Sequence, residues 1–250
     1  MIRLAWRCFA LACLLLLALQ LYFVVRIAAM AVFDPASTAF QRSEAARLVR
    51  AGDIGKWQQQ WVDYGALPAG IKRAVIASED ASFVRHGGVE WEAVRGAWER
   101  NSRAEAQWAK RLEQAEARGR AVDKVPGAKI VGGSTITQQL AKNLFFAGER
   151  SLPRKAQELV VTLLLETLLS KQRILEIYLN SVEWGEGVFG AEAAAQHYFH
   201  KPAARLSAYE AARLAVMLPR PRYFERMPQS AYLSGRAATI AARMGGVEIP

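Results

Sequence analysis

The sequence predicts a mainly α-helical domain behind one N-terminal membrane-spanning helix, and three observations carry that prediction. The run CFALACLLLLALQLYFVV, Cys8–Val25, is eighteen residues without a charge and with one polar side chain, Gln20. The segments that follow repeat apolar residues at the three-to-four spacing of helices. No run of alternating β-branched residues is long enough to build a sheet.

The apolar run comes first. At a rise of ~1.5 Å per residue it spans about 27 Å, close to the hydrocarbon thickness of a bilayer. Arg3 and Arg7 precede it and Arg26 follows, so the positive charge on the first flank keeps the N-terminus cytoplasmic. Ala29-Met30-Ala31 has the small-x-small form of a signal-peptide cut. However, the apolar core exceeds the usual 7–15 residues and Arg26 interrupts the approach, which favours an uncleaved anchor. Residues 1–33 are therefore read as cytoplasmic N-terminus and anchor, 34–56 as a juxtamembrane linker with some helical character (QRSEAARLVRAG) ending at Gly52 and Gly55, and 57–250 as the domain beyond the membrane.

Trp57 and Trp61 sit one helical turn apart and read as core aromatics. IKRAVIASEDASF, residues 71–83, reads as a helix closed by Gly87-Gly88, with Glu79 and Phe83 on one face. A further helix begins at Glu90 and runs to Glu99. From 101 to 129 charges dominate and most apolar residues are alanine, as expected of a solvated helix or a mobile charged insertion. GGSTITQQLAKNLFF restarts order, with Thr135 and Gln138 spaced as a capping box. RSLPRKAQELVVTLLLETLLSKQRILEIYLN is helical and broken near Ser170. Its residues 159–169 are apolar nearly all round and read as the domain core, with Glu166 inside as a structural ion pair or hydrogen bond. EWGEGVFG reads as a glycine turn, and AEAAAQHYF and LSAYEAARLAVML as two more helices, the second ending against Pro219.

The chain has 250 residues and a formal charge of +10, which calls for an anionic partner: nucleic acid, acidic lipid or a phosphate-bearing substrate. Its two cysteines, Cys8 and Cys13, lie in the apolar run and say nothing of redox compartment. Lys142, Arg150, Arg154 and Lys155 cluster within fourteen residues, with Glu158 one turn beyond Arg154, a composition suited to phosphate groups. Glu79 stands where a core-facing run meets water, and two glutamates flanking a sugar suit glycosyl chemistry. His197 and His200 lack an evident third metal ligand. No phosphate-binding Gly-rich loop of a nucleotide enzyme occurs.

Five stretches then carry a resemblance: ASEDASFVRHGG, GGSTITQQLAKNLFF, RKAQELVVTLLLE, ILEIYLNSVEWGEGVFGAEAAAQHYF and LSAYEAARLAVMLP. In this order the chain resembles the monofunctional biosynthetic peptidoglycan transglycosylases, glycosyltransferase family 51, whose domain type is shared with bifunctional penicillin-binding proteins. The resemblance covers roughly residues 57–224 and the anchor. It implies a lysozyme-like, all-α fold that extends glycan strands from lipid II. By the same resemblance Glu79 is the general base and Asp80 its support. Glu158 assists at the leaving group or organises the basic residues, and Lys142 and Arg150 hold the donor pyrophosphate. Ser134, Gln138, Gln139 and Asn143 are polar cleft positions, and Arg154, Lys155 and His86 complete the substrate-binding set.

The implied partners are lipid II, undecaprenyl-pyrophosphate-linked glycan, the membrane, and cell-division or cell-wall proteins, and not nucleic acid. The implied location is the bacterial inner membrane, single-pass, with the catalytic domain periplasmic. No protein metal site is expected and no cofactor is implied with certainty, with a divalent cation such as magnesium left open. No S-x-x-K, S-D-N or K-T-G set occurs, so no transpeptidase domain is expected to follow. Glu90 stands where many relatives carry Asp, and 101–129 is longer and more charged than usual. A lytic hydrolase of the same polymer is the alternative within this fold, disfavoured by the basic cluster. A non-catalytic cell-wall scaffold is disfavoured by the two intact glutamates.

Overall fold

The structure is a computed structural model that describes residues 1–117, 132–146 and 151–250. The chain forms two compact units, Met1–Gly88 with Ile136–Pro250, and Val89–Thr135. In the first lie α1 (Ile2–Ala29), α2 (Ala39–Ala51), α3 (Ala69–Glu79), α5 (Ile136–Phe145), α6 (Leu152–Leu168), α7 (Lys171–Ser181), α8 (Ala191–Phe199), α9 (Ala208–Met217), α10 (Pro221–Arg226) and α11 (Ala231–Arg243). The second holds α4 (Trp91–Ala117). The architecture is mainly α, as the periodicity predicts.

The centre of the larger unit is α7, buried at every position from Ile174 to Ser181. Ser170 caps it by accepting from the Arg173 N–H, which places the break between α6 and α7 where the sequence puts it. The run 159–169 differs from expectation. Val161 and Leu165 are fully buried, but Val160 and Leu163 stay 40% and 49% exposed, so α6 is half core and half apolar surface. Helix α9 packs between α3 and α11, and its start is a reciprocal capping box between Ser207 and Glu210.

Three further expectations need correction. Residues 34–56 are no linker: Thr38 and Gln41 form a capping box that starts α2, and Leu48 on α2 is fully buried. Arg47 pairs with Glu186 at 2.6 Å and Glu44 with Arg222 at 2.8 Å, tying α2 to distant segments. The region does contain a small sheet, in the order β1-β3-β2, made of Gln58–Gln59 (β1), Glu183–Gly185 (β2) and Val188–Phe189 (β3). Strands this short show no alternation in sequence, and β1 separates Trp57 from Trp61, so these two share no helical face. Instead Trp57 lies against Phe189 at 4.8 Å and Trp61 lies under the Arg173 guanidinium at 5.7 Å.

The third correction concerns α3, which stops at Glu79, well before Gly87-Gly88. Asp80 leaves the helix at φ −163°, and a turn follows in which the Phe83 N–H donates to Asp80 O at 3.0 Å. Phe83 is fully buried and not on a helical face with Glu79. Gly88 has a different task. Its φ is +88°, and a Cβ there would lie 2.8 Å from Glu166 Cγ and 2.9 Å from Thr162. Only glycine fits both demands.

In the smaller unit α4 runs through the boundary expected at residue 101. Ala97, Asn101, Ala104, Trp108, Leu112 and Ala115 are the shielded positions on one stripe, at helical spacing. The part of the charged insertion at 118–131 lies outside the described residues.

Candidate active site

Two acids at the end of α3 do different work. The Glu79 side chain is half-buried. Its Oε2 accepts from Gln139 Nε2 at 3.0 Å and its Oε1 from the Ser78 hydroxyl at 3.3 Å. Gln139 is itself fixed, because the Tyr178 hydroxyl donates to its Oε1 at 2.9 Å and so turns the amide nitrogen toward Glu79. Burial pushes the Glu79 carboxyl above the usual carboxylate range, against the Gln139 and Ser78 hydrogen bonds; the Asp80 charge adds to the rise and Arg236 opposes it. Burial, with the charges of Glu79 and Asp80, also raises the Tyr178 hydroxyl well above the ordinary tyrosine range.

Asp80 is buried and faces the start of α5. Its Oδ2 accepts the Ile136 N–H at 3.1 Å, where a carboxylate meets the positive end of the helix. His86 Nε2 lies 2.8 Å and 3.0 Å from the two Asp80 oxygens. The Gly88 N–H donates to His86 Nδ1 at 3.1 Å, which leaves Nε2 as the ring donor toward Asp80. This triad joins the turn after α3 to the first turn of α5. It thereby sets Gln139, one turn along α5, against Glu79.

Helix α5 buries Ile136, Thr137, Leu140, Ala141 and Leu144 and turns its other side to a cleft of about 420 Å³. Gln139, Lys142, Asn143 and Phe146 line that cleft at helical spacing, with Arg154 of α6, Glu183 of β2 and Phe40 of α2 opposite or beside them. Arg154 is ion-paired through Nη1 to Glu158 Oε1, and Lys155 Nζ lies 3.3 Å from Glu158 Oε2. Glu158 is buried, so both of its oxygens are committed to these cations. Partial desolvation, then the like charges of Arg154 and Lys142, pulls the Lys155 ammonium below the usual lysine range. Lys142 and Arg154 line the cleft, and Lys155 lies near enough to both for their charges to act on it. Glu166 is the structural ion pair expected, accepting from Thr137 Oγ1 at 2.5 Å and Lys171 Nζ at 2.8 Å.

The structure thus brings Gln139, Lys142, Asn143 and Arg154 to one cleft, with Lys155 and Glu158 behind Arg154 and Glu79 reached through Gln139. Gln138 is half-buried and is not among the residues lining the cleft. Ser134 is exposed and belongs to the smaller unit. Arg150 lies outside the described residues. Sequence reasoning missed Tyr178, Arg236, Phe40 and Glu183. The available signal for Tyr178 was a phenol hydroxyl placed among the apolar residues Ile174, Leu175, Ile177 and Leu179 of α7, all of them buried. Glu183 is buried and accepts from Arg222 Nε and Nη2 at 2.9 Å and 2.7 Å, and burial still raises its carboxyl above the ordinary range. Its place in the cleft depends on the β2–β3 hairpin, which the sequence pattern did not reveal.

Comparison with known proteins identifies the family. The family model described as Transglycosylase matches residues 45–109 and 113–245. The chain is 53% identical over 234 residues to a protein of Burkholderia thailandensis named biosynthetic peptidoglycan transglycosylase, covering 94% of this chain and 83% of that one. A Burkholderia pseudomallei protein of the same name is also 53% identical with the same coverage, and one of Burkholderia ambifaria is 50% identical, with 86% of its length covered. Since both matches span far more than half of its length, the chain belongs to the transglycosylase family.

Proposed function

We propose that the protein is a peptidoglycan glycosyltransferase that polymerises lipid II into β-1,4-linked glycan, releasing undecaprenyl pyrophosphate with inversion at the donor carbon. The observation that carries this reading is the pairing of a half-buried carboxyl with a cationic cleft on opposite sides of one residue, Gln139. Glu79 takes the proton of the acceptor GlcNAc 4-hydroxyl as that oxygen attacks C1 of the donor MurNAc. The bond from C1 to the pyrophosphate oxygen breaks, and the leaving group carries away the electron pair. Lys142 and Arg154, with Lys155 beside them and Arg150 by resemblance, meet the charge that develops. Glu158 positions the two α6 cations. Asp80 and His86 hold the start of α5, which fixes Gln139 and hence Glu79.

On the donor side, among the described residues, Glu158 gives both oxygens to Arg154 and Lys155, and Glu183 accepts twice from Arg222 through Oε1. The arrangement receives anions directly, and no step is routed through a metal.

Helix α1 is long and apolar enough to cross a bilayer, which supports a single-pass anchor in the inner membrane. Arg3 and Arg7 support a cytoplasmic N-terminus and a periplasmic catalytic region. A lipid-linked substrate in the same bilayer agrees with this placement, and cell-wall assembly proteins are the partners it would meet. The test is incubation of the full chain in detergent with labelled lipid II. The expected product is a polymer that a muramidase cuts to disaccharide units. Release of small fragments from finished peptidoglycan, with no polymer from lipid II, would instead establish the lytic reading.

A further inference from the structure

Gln20, the one polar side chain between Cys8 and Val25, does not face lipid alone. Its Nε2 donates to Gln157 Oε1 at 3.0 Å, and Gln157 Nε2 donates back to Gln20 Oε1 at 3.1 Å. The two amides close a reciprocal pair between α1 and α6, 137 residues apart in sequence. Gln20, Phe23 and Ile27 form one stripe of α1 that continues into its C-cap, Met30, and the last three are buried in the core of the larger unit. Phe23 meets Phe145 edge-on at 5.1 Å and Phe146 at 6.1 Å. Above them Arg173 Nε donates to Met30 O at 2.7 Å and Nη2 pairs with Asp34 at 2.8 Å.

The elements gripped in this way are those that carry the donor side of the cleft. Gln157 adjoins Glu158 on α6, one turn from Arg154. Phe145 and Phe146 follow Lys142 by one turn, and Phe146 itself lines the cleft.

We infer that Gln20 and Gln157 are positioning residues whose amide pair locks α6 to the anchor, and so sets the depth at which the cationic wall of the cleft meets the bilayer. This rests on the single-pass anchor given under Proposed function. Gln20 lies five residues before Val25, or about 7.5 Å inside the edge of the apolar run at the helical rise. Gln157 shares that depth. The α6 surface one to two turns away is apolar and outward: Val160 and Leu163 are 40% and 49% exposed. Its occupant is the acyl region of the outer leaflet, continuous with the lipid-facing side of α1. Arg154 and Lys155 have side chains long enough to reach headgroup phosphates from there.

The test uses the full chain with Cys8→Ser and Cys13→Ser, and a single fluorophore on Val160→Cys, Leu163→Cys or, as a reference, the exposed loop position Gln229→Cys. The proteins are placed in phosphatidylglycerol–phosphatidylethanolamine vesicles whose acyl chains carry bromine. Labels at 160 and 163 are expected to be quenched at least three-fold more than the label at 229. In Gln20→Leu or Gln157→Leu that quenching should fall by half or more, with KM for lipid II raised about five-fold and kcat held within two-fold. A purely structural pair would lower the active fraction and hence kcat, leaving KM and quenching unchanged, and that result would overturn the inference. A chain that floats with the vesicles yet shows no more quenching at 160 and 163 than at 229 also overturns it, while the anchor stands. A chain that does not float removes the anchor and the inference together.

Discussion

At Glu79 the same burial that makes the carboxyl a better proton acceptor also costs stability when it ionises. A carboxyl whose folded pKa is raised favours folding in its protonated form, so its unfavourable contribution vanishes as pH falls through the folded value and persists above it. Glu79→Gln is therefore expected to melt at the same temperature as the parent or higher near neutral pH, with the difference shrinking in acid; calorimetry across pH measures this. The general base must be ionised, so the acid limb of kcat should lie above the ordinary carboxylate range. Tyr178→Phe removes the donor that fixes Gln139 and frees its half-buried amide to turn. Loss of one such hydrogen bond costs about 0.5–1.5 kcal/mol, and kcat should fall roughly ten-fold with circular dichroism unchanged. Gly88→Ala meets the positive φ and the Glu166 and Thr162 contacts together, and should destabilise by about 2 kcal/mol or more in denaturant titrations.

At the scale of elements, two expectations and two outcomes separate what local pattern reveals from what it does not. Helices α7 and α9 were legible because their caps, Ser170 and Ser207, and their apolar periodicity agree. The end of α3 was not legible. It is decided by Asp80, whose carboxylate is claimed by a histidine six residues on and an N–H 56 residues on. No window along the chain contains both partners. The helical character of α2 was legible in QRSEAARLVRAG and its end at Gly52, but its docking was hidden for the same reason, since its anchors are Glu186 and Arg222. Leu48→Ala should cost about 2–5 kcal/mol in thermal or chemical unfolding, whereas in a solvated linker it would cost almost nothing. On α4 the low content of large apolar residues predicts mobility, while the shielded stripe from Ala97 to Ala115 predicts order. Hydrogen exchange over 101–117 should show the stripe positions exchanging more slowly than their exposed neighbours; uniformly fast exchange would return this segment to the mobile reading.

At the scale of the whole molecule, the residues of the site were legible mainly through the resemblance, which named Glu79, Gln139, Lys142 and Asn143. Spacing alone gave the basic cluster and an acid at a helix end. What only the folded chain supplies is their arrangement: one helix, α5, presents Gln139 to the carboxyl and Lys142 to the cleft, and the Asp80–His86 pair holds that helix by its first N–H. The central claim is that Glu79 acts as the base for glycan extension from a pyrophosphate donor. The most direct measurement is polymerisation of labelled lipid II by the full chain and by Glu79→Gln, with folding of both verified by their melting curves. The account predicts a loss of at least about 10²-fold in kcat for the amide, with lipid II still bound. Polymer formation by Glu79→Gln within ten-fold of the parent rate would contradict it.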